Sequence, residues 1–212
     1  MSLQDFFEST QGKVIIVVVM VVLLLLLLIP SKKRRQAKRV DVKSMTISAA
    51  MVALSMILSM ITLFRMPYGG FVTPMSMLPI AIIAYFYGTR QGVTAGVVLG
   101  LLNLVMDPYV IHPVQMLLDY PLAFGALGIG GFAGKGKYGL HKVYIIGIIG
   151  RYICSVLSGV IFFGSNAPEG FNALTYSLFY NITYIGIEGI ITLLIISIPA
   201  VRNAIESAKK NA

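Results

Sequence analysis

The sequence predicts an all-α integral membrane protein, a bundle of six helices preceded by one extra N-terminal transmembrane helix. Three observations carry this. The 212 residues are 57% hydrophobic and only 12% charged, with a mean hydropathy of +0.85, whereas a soluble domain keeps about a quarter of its residues charged. Apolar runs of about the 20 residues that a crossing needs recur along the chain and fill it, leaving no room for a soluble catalytic domain. The charge is also lopsided, with 17 Lys+Arg against 8 Asp+Glu for a net +9, and one orientation of the bundle collects the basic loops on a single side. That pattern explains the excess charge without nucleic acid as a partner. The single Cys154 lies in an apolar run and offers neither a disulfide framework nor a cysteine metal site.

The first element is the Ile/Val/Leu run from Val14 to Pro30, followed at once by Lys32, Lys33, Arg34, Arg35, Lys38 and Arg39. A secretory signal carries its basic residues before the apolar stretch, but here Asp5 and Glu8 precede it. Residues 1–30 therefore read as a retained transmembrane anchor with the N-terminus outside, and 31–44 as a basic cytoplasmic linker. A six-helix domain then occupies 45–200, with spans at about 45–64, 75–88, 92–106, 113–134, 143–163 and 173–200, and a cytoplasmic tail at 201–212. The second and third spans read as short helices joined by a tight turn from Gly88 to Gly92. With Lys43 inside, alternation puts Arg90, Lys135, Lys137, Lys142, Arg202, Lys209 and Lys210 in the cytoplasm, and only Arg65, Asp107 and Glu169 outside.

Ionisable and small polar residues at membrane depth mark a site or a pair of partners. Asp119 lies six residues into the span entered at Pro113, about 9 Å below the outer surface at the helical rise. Ser155 precedes the outer span end at Phe163 by eight residues, and Asn181 lies eight residues into the last span, each about 12 Å deep. Three spans thus present polar groups at one depth, open toward the outside. Tyr120, Phe163, Tyr176, Tyr180 and Tyr184 stand around them, enough aromatic surface to sandwich a flat ring or hold a cation over a face. Aromatics at these depths also serve as interfacial belts. The chemistry suggested is binding of a small planar solute, neutral or cationic, by stacking, with Asp119 supplying a carboxylate. Arg151 and Glu188 lie deeper on spans adjacent in sequence and are expected to pair with each other.

Other features are more modest. Ala49 and Ala53 form a small-xxx-small face that suits packing within the chain or against a partner subunit. The Gly-rich loop from Arg65 to Thr73 is a natural lid. His112 and His141 fall on opposite sides of the membrane and cannot share a metal. Gly134-Lys135-Gly136-Lys137 lacks the nucleotide-binding pattern, so any ATP is used by partners. A membrane-embedded transferase would need clustered carboxylates, whereas Asp107, Asp119, Glu169 and Glu188 are scattered in depth. A stand-alone secondary transporter using Asp119 as a proton site would run without ATP.

The stretches LLDYPLAFG (Leu117 to Gly125), GRYICSVLSGVIFFGSNAPEG (Gly150 to Gly170) and YSLFYNITYIGIE (Tyr176 to Glu188) occur in order. With GGFVTPMSMLPI (Gly69 to Ile80) and HPVQ (His112 to Gln115), they resemble the thiamine-specific substrate-binding subunits, or S components, of energy-coupling factor transporters, the ThiT/YuaJ family, over about residues 45–200. The resemblance implies a six-helix S-component bundle that captures thiamine, or a related precursor or vitamin, from outside the cell. The resemblance further implies that the chain is not an enzyme, holds no cofactor of its own, and works with a transmembrane coupling protein and two cytoplasmic ATPases. Carried over by position, the pyrimidine-binding carboxylate falls on Asp119 with Tyr120 beside it. The thiazolium contacts fall on Tyr176 and Asn181, a further pocket tyrosine on Tyr109, and the coupling face on Ala49 and Ala53. Where family members carry a histidine and a stacking tryptophan, this chain has Ser155 and Phe163. The anchor and its linker lie outside the resemblance.

Overall fold

The computed structural model describes residues 42–66, 70–136 and 138–212, together with Ile15, Val18 and Val22. Apart from those three positions and the last residues of the linker, the predicted anchor and basic linker lie outside the described residues. The first described span, α1 (Val42–Met60), begins inside the predicted linker. It leads into a small antiparallel hairpin, β1 (Phe64–Arg65) and β2 (Phe71–Val72), with Phe64 opposite Val72 and Arg65 opposite Phe71. The sequence reading had a loop here.

Helix α2 (Leu78–Tyr87) has only ten residues, about 15 Å, half of what a bilayer core requires. The predicted span at 75–88 is therefore corrected: residues 73–77 descend into the bundle as irregular backbone. Such backbone is tolerated at membrane depth only when it is buried and bonded, and both conditions hold. Thr73, Ser76 and Met77 are buried, the Ser55 hydroxyl donates to the Ser76 carbonyl, and Glu188 takes four further donors, described below.

Gly88, at a φ of +88° that glycine tolerates, turns the chain directly into α3 (Thr89–Met106). The turn is one residue rather than Gly88 to Gly92. Gly92 instead belongs to a row with Gly96 and Gly100 along α3, which packs backbone to backbone on the next span, against Gly128, Phe124–Gly125 and Tyr120–Pro121 respectively. Close approach through small residues is how membrane helices gain contact without a hydrophobic driving force. Gly96→Leu would drive a side chain into the Phe124 carbonyl. It is expected to lower the detergent-solubilised melting temperature by roughly 5–10 °C, as read by static light scattering; an unchanged melting temperature would show that the interface can yield.

Helix α4 (Pro113–Ala133), α5 (Gly139–Phe162) and α6 (Ala173–Ser197) complete the spans, five long apolar helices and the shorter α2 among the described residues. His112 caps α4, its Nδ1 accepting the Val114 N–H at 3.1 Å, and Asn172 with Thr175 forms a capping box on α6. Two spans widen locally into π turns, α4 at Leu118–Leu122 around Pro121 and α6 at Ile182–Gly186. Pro199 cannot continue α6, and the segment that holds most of the predicted tail is a separate helix, α7 (Pro199–Asn211). The core joins Ile80, Ile83, Leu99, Val143, Tyr144, Ile185 and Ile196. Large apolar side chains such as Val105, Ile190 and Leu194 point outward, as a lipid-facing surface requires. The protein is an all-α multi-pass membrane protein. Arg65 and Asp107 meet at one end, 3.9 Å apart. At the other end the Lys43 ammonium donates to the Asn211 carbonyl, and Lys209 lies 3.4 Å from the Gly134 carbonyl.

Candidate ligand-binding site

A cavity of about 570 Å³ opens at the hairpin end, within the size range of small-molecule pockets. All seven predicted site residues, Tyr109, Asp119, Tyr120, Ser155, Phe163, Tyr176 and Asn181, line it. They arrive from α4, α5, α6, the loop before α4 and, for Phe163, the residue that follows α5. Both π turns fall at the cavity, and π turns commonly mark functional sites because they re-aim side chains.

Asp119 sits on the α4 π turn. Gln115 Nε2 donates to its Oδ2 at 2.7 Å and the Ser158 hydroxyl donates to the same oxygen at 2.8 Å. Among the described residues Oδ1 accepts no hydrogen bond, so one carboxylate oxygen is oriented and the other remains available. Gln115 is itself fully engaged and only 1% exposed. Its second amide hydrogen goes to the Tyr109 carbonyl and its oxygen accepts the Ile111 N–H. It thereby ties the loop before α4 to the carboxylate. Gln115 and Ser158 were missed in the sequence, although Gln115 stands one helical turn before Asp119, and Ser158 one turn after Ser155.

The hydroxyl of Tyr120 accepts the Tyr109 N–H at 2.8 Å and donates to the Asp107 carbonyl at 3.0 Å. Its polar end therefore holds the loop, and only its ring is left to line the cavity. Tyr109 in turn stacks on Phe163, with centroids 5.9 Å apart and planes at 19°. On the opposite wall Asn181 donates to the Ser155 and Ser177 carbonyls at 3.3 and 2.9 Å, while its oxygen accepts the Tyr184 hydroxyl at 2.7 Å. Tyr176, Tyr180 and Tyr184 follow one another along α6 with centroids 5.9 and 5.8 Å apart, an aromatic ladder down one side.

The hairpin lies across the mouth, with Arg65, Met66, Gly70 and Phe71 among the lining residues. The Gly70 N–H donates to the Tyr180 hydroxyl at 2.9 Å.

The expected Arg151–Glu188 pair does not form. Among the described residues Arg65–Asp107 is the one ion pair. Arg151 lines the cavity, with its guanidinium 4.3 Å from the centre of the Phe124 ring, a cation–π contact, and its Nε is buried without a partner. Glu188 instead receives Thr73 N–H and Oγ at Oε2 (3.3 and 2.6 Å), and Ser76 Oγ and Met77 N–H at Oε1 (3.1 and 3.2 Å). Neutral donors at the start of α2 satisfy this charge, with the helix dipole behind them.

Ala49 and Ala53 are exposed on α1. Their small-xxx-small face is not consumed by packing within the described chain.

Fold and cavity define a multi-pass membrane protein with a solute-sized chamber reached from one end. Comparison with known sequences assigns it: the chain belongs to the family described as Thiamine transporter protein (Thia_YuaJ), whose sequence profile matches residues 45–206. It is 41% identical over 152 residues to the thiamine transporter ThiT of Bacillus subtilis (strain 168), covering 64% of this chain and 79% of that one. It is 35% identical over 122 residues to ThiT of Lacticaseibacillus paracasei, covering 50% and 61%. The solved structure of ThiT from Listeria monocytogenes superimposes with a TM-score of 0.65 at 24% identity, over 76% of this chain and 97% of that one. That likeness establishes the shared fold.

Proposed function

We propose that this chain binds thiamine from outside the cell with high affinity and serves its uptake as the S component of an ATP-driven energy-coupling factor transporter. The observation that carries the reading is the convergence of seven side chains on one 570 Å³ cavity in a chain whose relatives are named thiamine transporters. In this reading the open Oδ1 of Asp119 accepts from the pyrimidine amino group. Tyr109 and Phe163 offer stacking surface, and Tyr176 with Asn181 holds the thiazolium end, where tyrosine faces suit a cation. Ser155 lines the same cavity and offers a hydroxyl that can donate or accept a hydrogen bond to the ligand.

Calorimetric titration of the purified chain tests this, with thiamine, its pyrimidine and thiazole halves, and riboflavin as an outgroup. Nanomolar binding of thiamine alone, about −12 kcal/mol, is the expected result. Silence with thiamine and clear binding of one half or of riboflavin would transfer the site to that ligand, with Ser155 and Phe163 as the positions that re-tuned it.

The chain would hold its N-terminus outside and C-terminus in the cytoplasm, and would draw on two cytoplasmic ATPases through a transmembrane coupling protein. That protein would meet α1 at Ala49 and Ala53. Replacing both alanines with leucine should abolish uptake by cells while the titration stays unchanged; surviving uptake would place the coupling face elsewhere. The binding unit is residues 45–200, so deleting residues 1–40 should leave thiamine affinity intact. Loss of binding in a correctly folded product would move that boundary.

A further inference from the structure

A second cavity, of about 580 Å³, lies at the opposite end of the bundle. It is lined by Tyr85, Gly136, Tyr138, Arg202, Glu206, Lys209 and Lys210. We propose that this cleft binds the phosphate headgroup of an anionic phospholipid.

The cleft sits where the apolar spans give way to polar structure. Tyr85 is two residues from the end of α2, Gly136 and Tyr138 belong to the turn between α4 and α5, and Arg202 to Lys210 lie on α7, which starts immediately after α6. Lipid phosphates occupy that level of a bilayer, and basic pockets between helices there recognise anionic headgroups. Ile198 and Leu194, exposed at the end of α6, offer an apolar surface for the acyl chains.

The charge is one-sided and already placed. Arg202, Glu206 and Lys209 fall on one stripe of α7, four and three residues apart, with Ile205 from the same face packed against the core. Among the described residues three cations line the cleft against one carboxylate, and none of the three has a carboxylate within 4.0 Å. Lys209 is fixed, its ammonium 3.4 Å from the centre of the Tyr85 ring and 3.4 Å from the Gly134 carbonyl. Partial burial pulls its pKa below the ordinary lysine value, which Glu206 partly offsets. An arriving phosphate would relieve that cost. Among the described residues the lining contains no aliphatic side chain, whereas a protein docking site is built around an apolar centre, so the lipid is the better-matched occupant.

The test uses the full-length chain in nanodiscs of equal phosphatidylglycerol and phosphatidylcholine, followed by native mass spectrometry of retained lipid. The wild type is expected to retain phosphatidylglycerol in preference. Arg202→Gln with Lys210→Gln should cut that preference by about ten-fold or more, with the thiamine titration serving as a check of folding. Equal retention of both lipids by the wild type, or an unchanged preference in the double variant, overturns the proposal. Displacement of the lipid by millimolar inorganic phosphate would reassign the cleft to a free anion. Absence of lipid preference, combined with loss of co-purifying coupling protein from the double variant, would reassign it to protein docking.

Discussion

Asp119→Ala should weaken thiamine binding by about thirty- to a hundred-fold, read by calorimetry. The carboxylate is held by Gln115 and Ser158 on one oxygen, which leaves the other free to accept from a ligand in the cavity that Asp119 lines. A hydrogen bond to a charged acceptor contributes about 1.5–3 kcal/mol, and a ligand donor stranded without a partner adds its own desolvation cost. Alanine removes both the acceptor and the charge. Water from the open cavity can satisfy Gln115 and Ser158 in the empty variant, so its own melting temperature should fall little while the stabilisation conferred by ligand disappears. Asp119→Asn can keep its oxygen on the two existing donors but then presents an NH2 where the open carboxylate oxygen stood, so it should also weaken binding while preserving the Gln115 and Ser158 bonds. Affinity near that of the wild type for the alanine variant would remove Asp119 from the pocket.

Glu188→Ala carries the largest expected cost to the fold itself. Four donors, two of them backbone N–H groups of a segment already lacking helix bonds, lose their only carboxylate. Each buried donor left unsatisfied costs about 1–3 kcal/mol, and at 4% exposure of Glu188 water has poor access to replace it. A drop in melting temperature of roughly 10 °C or more is expected, together with faster thiamine release, because the segment that unravels is continuous with β2 of the hairpin over the mouth. Glu188→Gln keeps one acceptor oxygen and should lose less than half as much. An alanine variant that melts like the wild type and releases ligand at the same rate would show that the Thr73–Met77 turn is held by other contacts.

Hydropathy and charge made the spans legible, and depth arithmetic brought Asp119, Ser155 and Asn181 to one level, where the cavity now joins them. The failures have physical causes. Met75 and Met77 flank Ser76 and extend the apolar run of the helix that follows, so hydropathy alone could not see that α2 begins at Leu78. Strands of two residues have no period to detect. A π turn is a backbone event with no residue pattern of its own, apart from Pro121 in α4. Pairing Arg151 with Glu188 followed formal charge alone, whereas a carboxylate is satisfied equally well by hydroxyls and N–H groups at a helix start. Gln115 and Ser158 are neutral, so a search for ionisable groups passed over them; their one-turn spacing to Asp119 and Ser155 was present in the sequence. The Gly92–Gly96–Gly100 row was present too, and it predicts close helix contact as plainly as Ala49 and Ala53 do.

The two π turns carry a consequence for how such a chamber can change over time. Each adds a residue to its helix, rotating everything on one side of it by roughly 100° relative to the other. Above the turn, α6 shows Tyr176 and Asn181 to the chamber; below it, the same helix buries Glu188 and Ile196 against other spans. The half that greets the solute and the half that packs the scaffold are thus out of phase and answer to separate constraints. Substitutions among the chamber-facing residues of α4 and α6 can then accumulate while the foundation stays put, and a lineage can retune what it captures without rebuilding the structure that captures it.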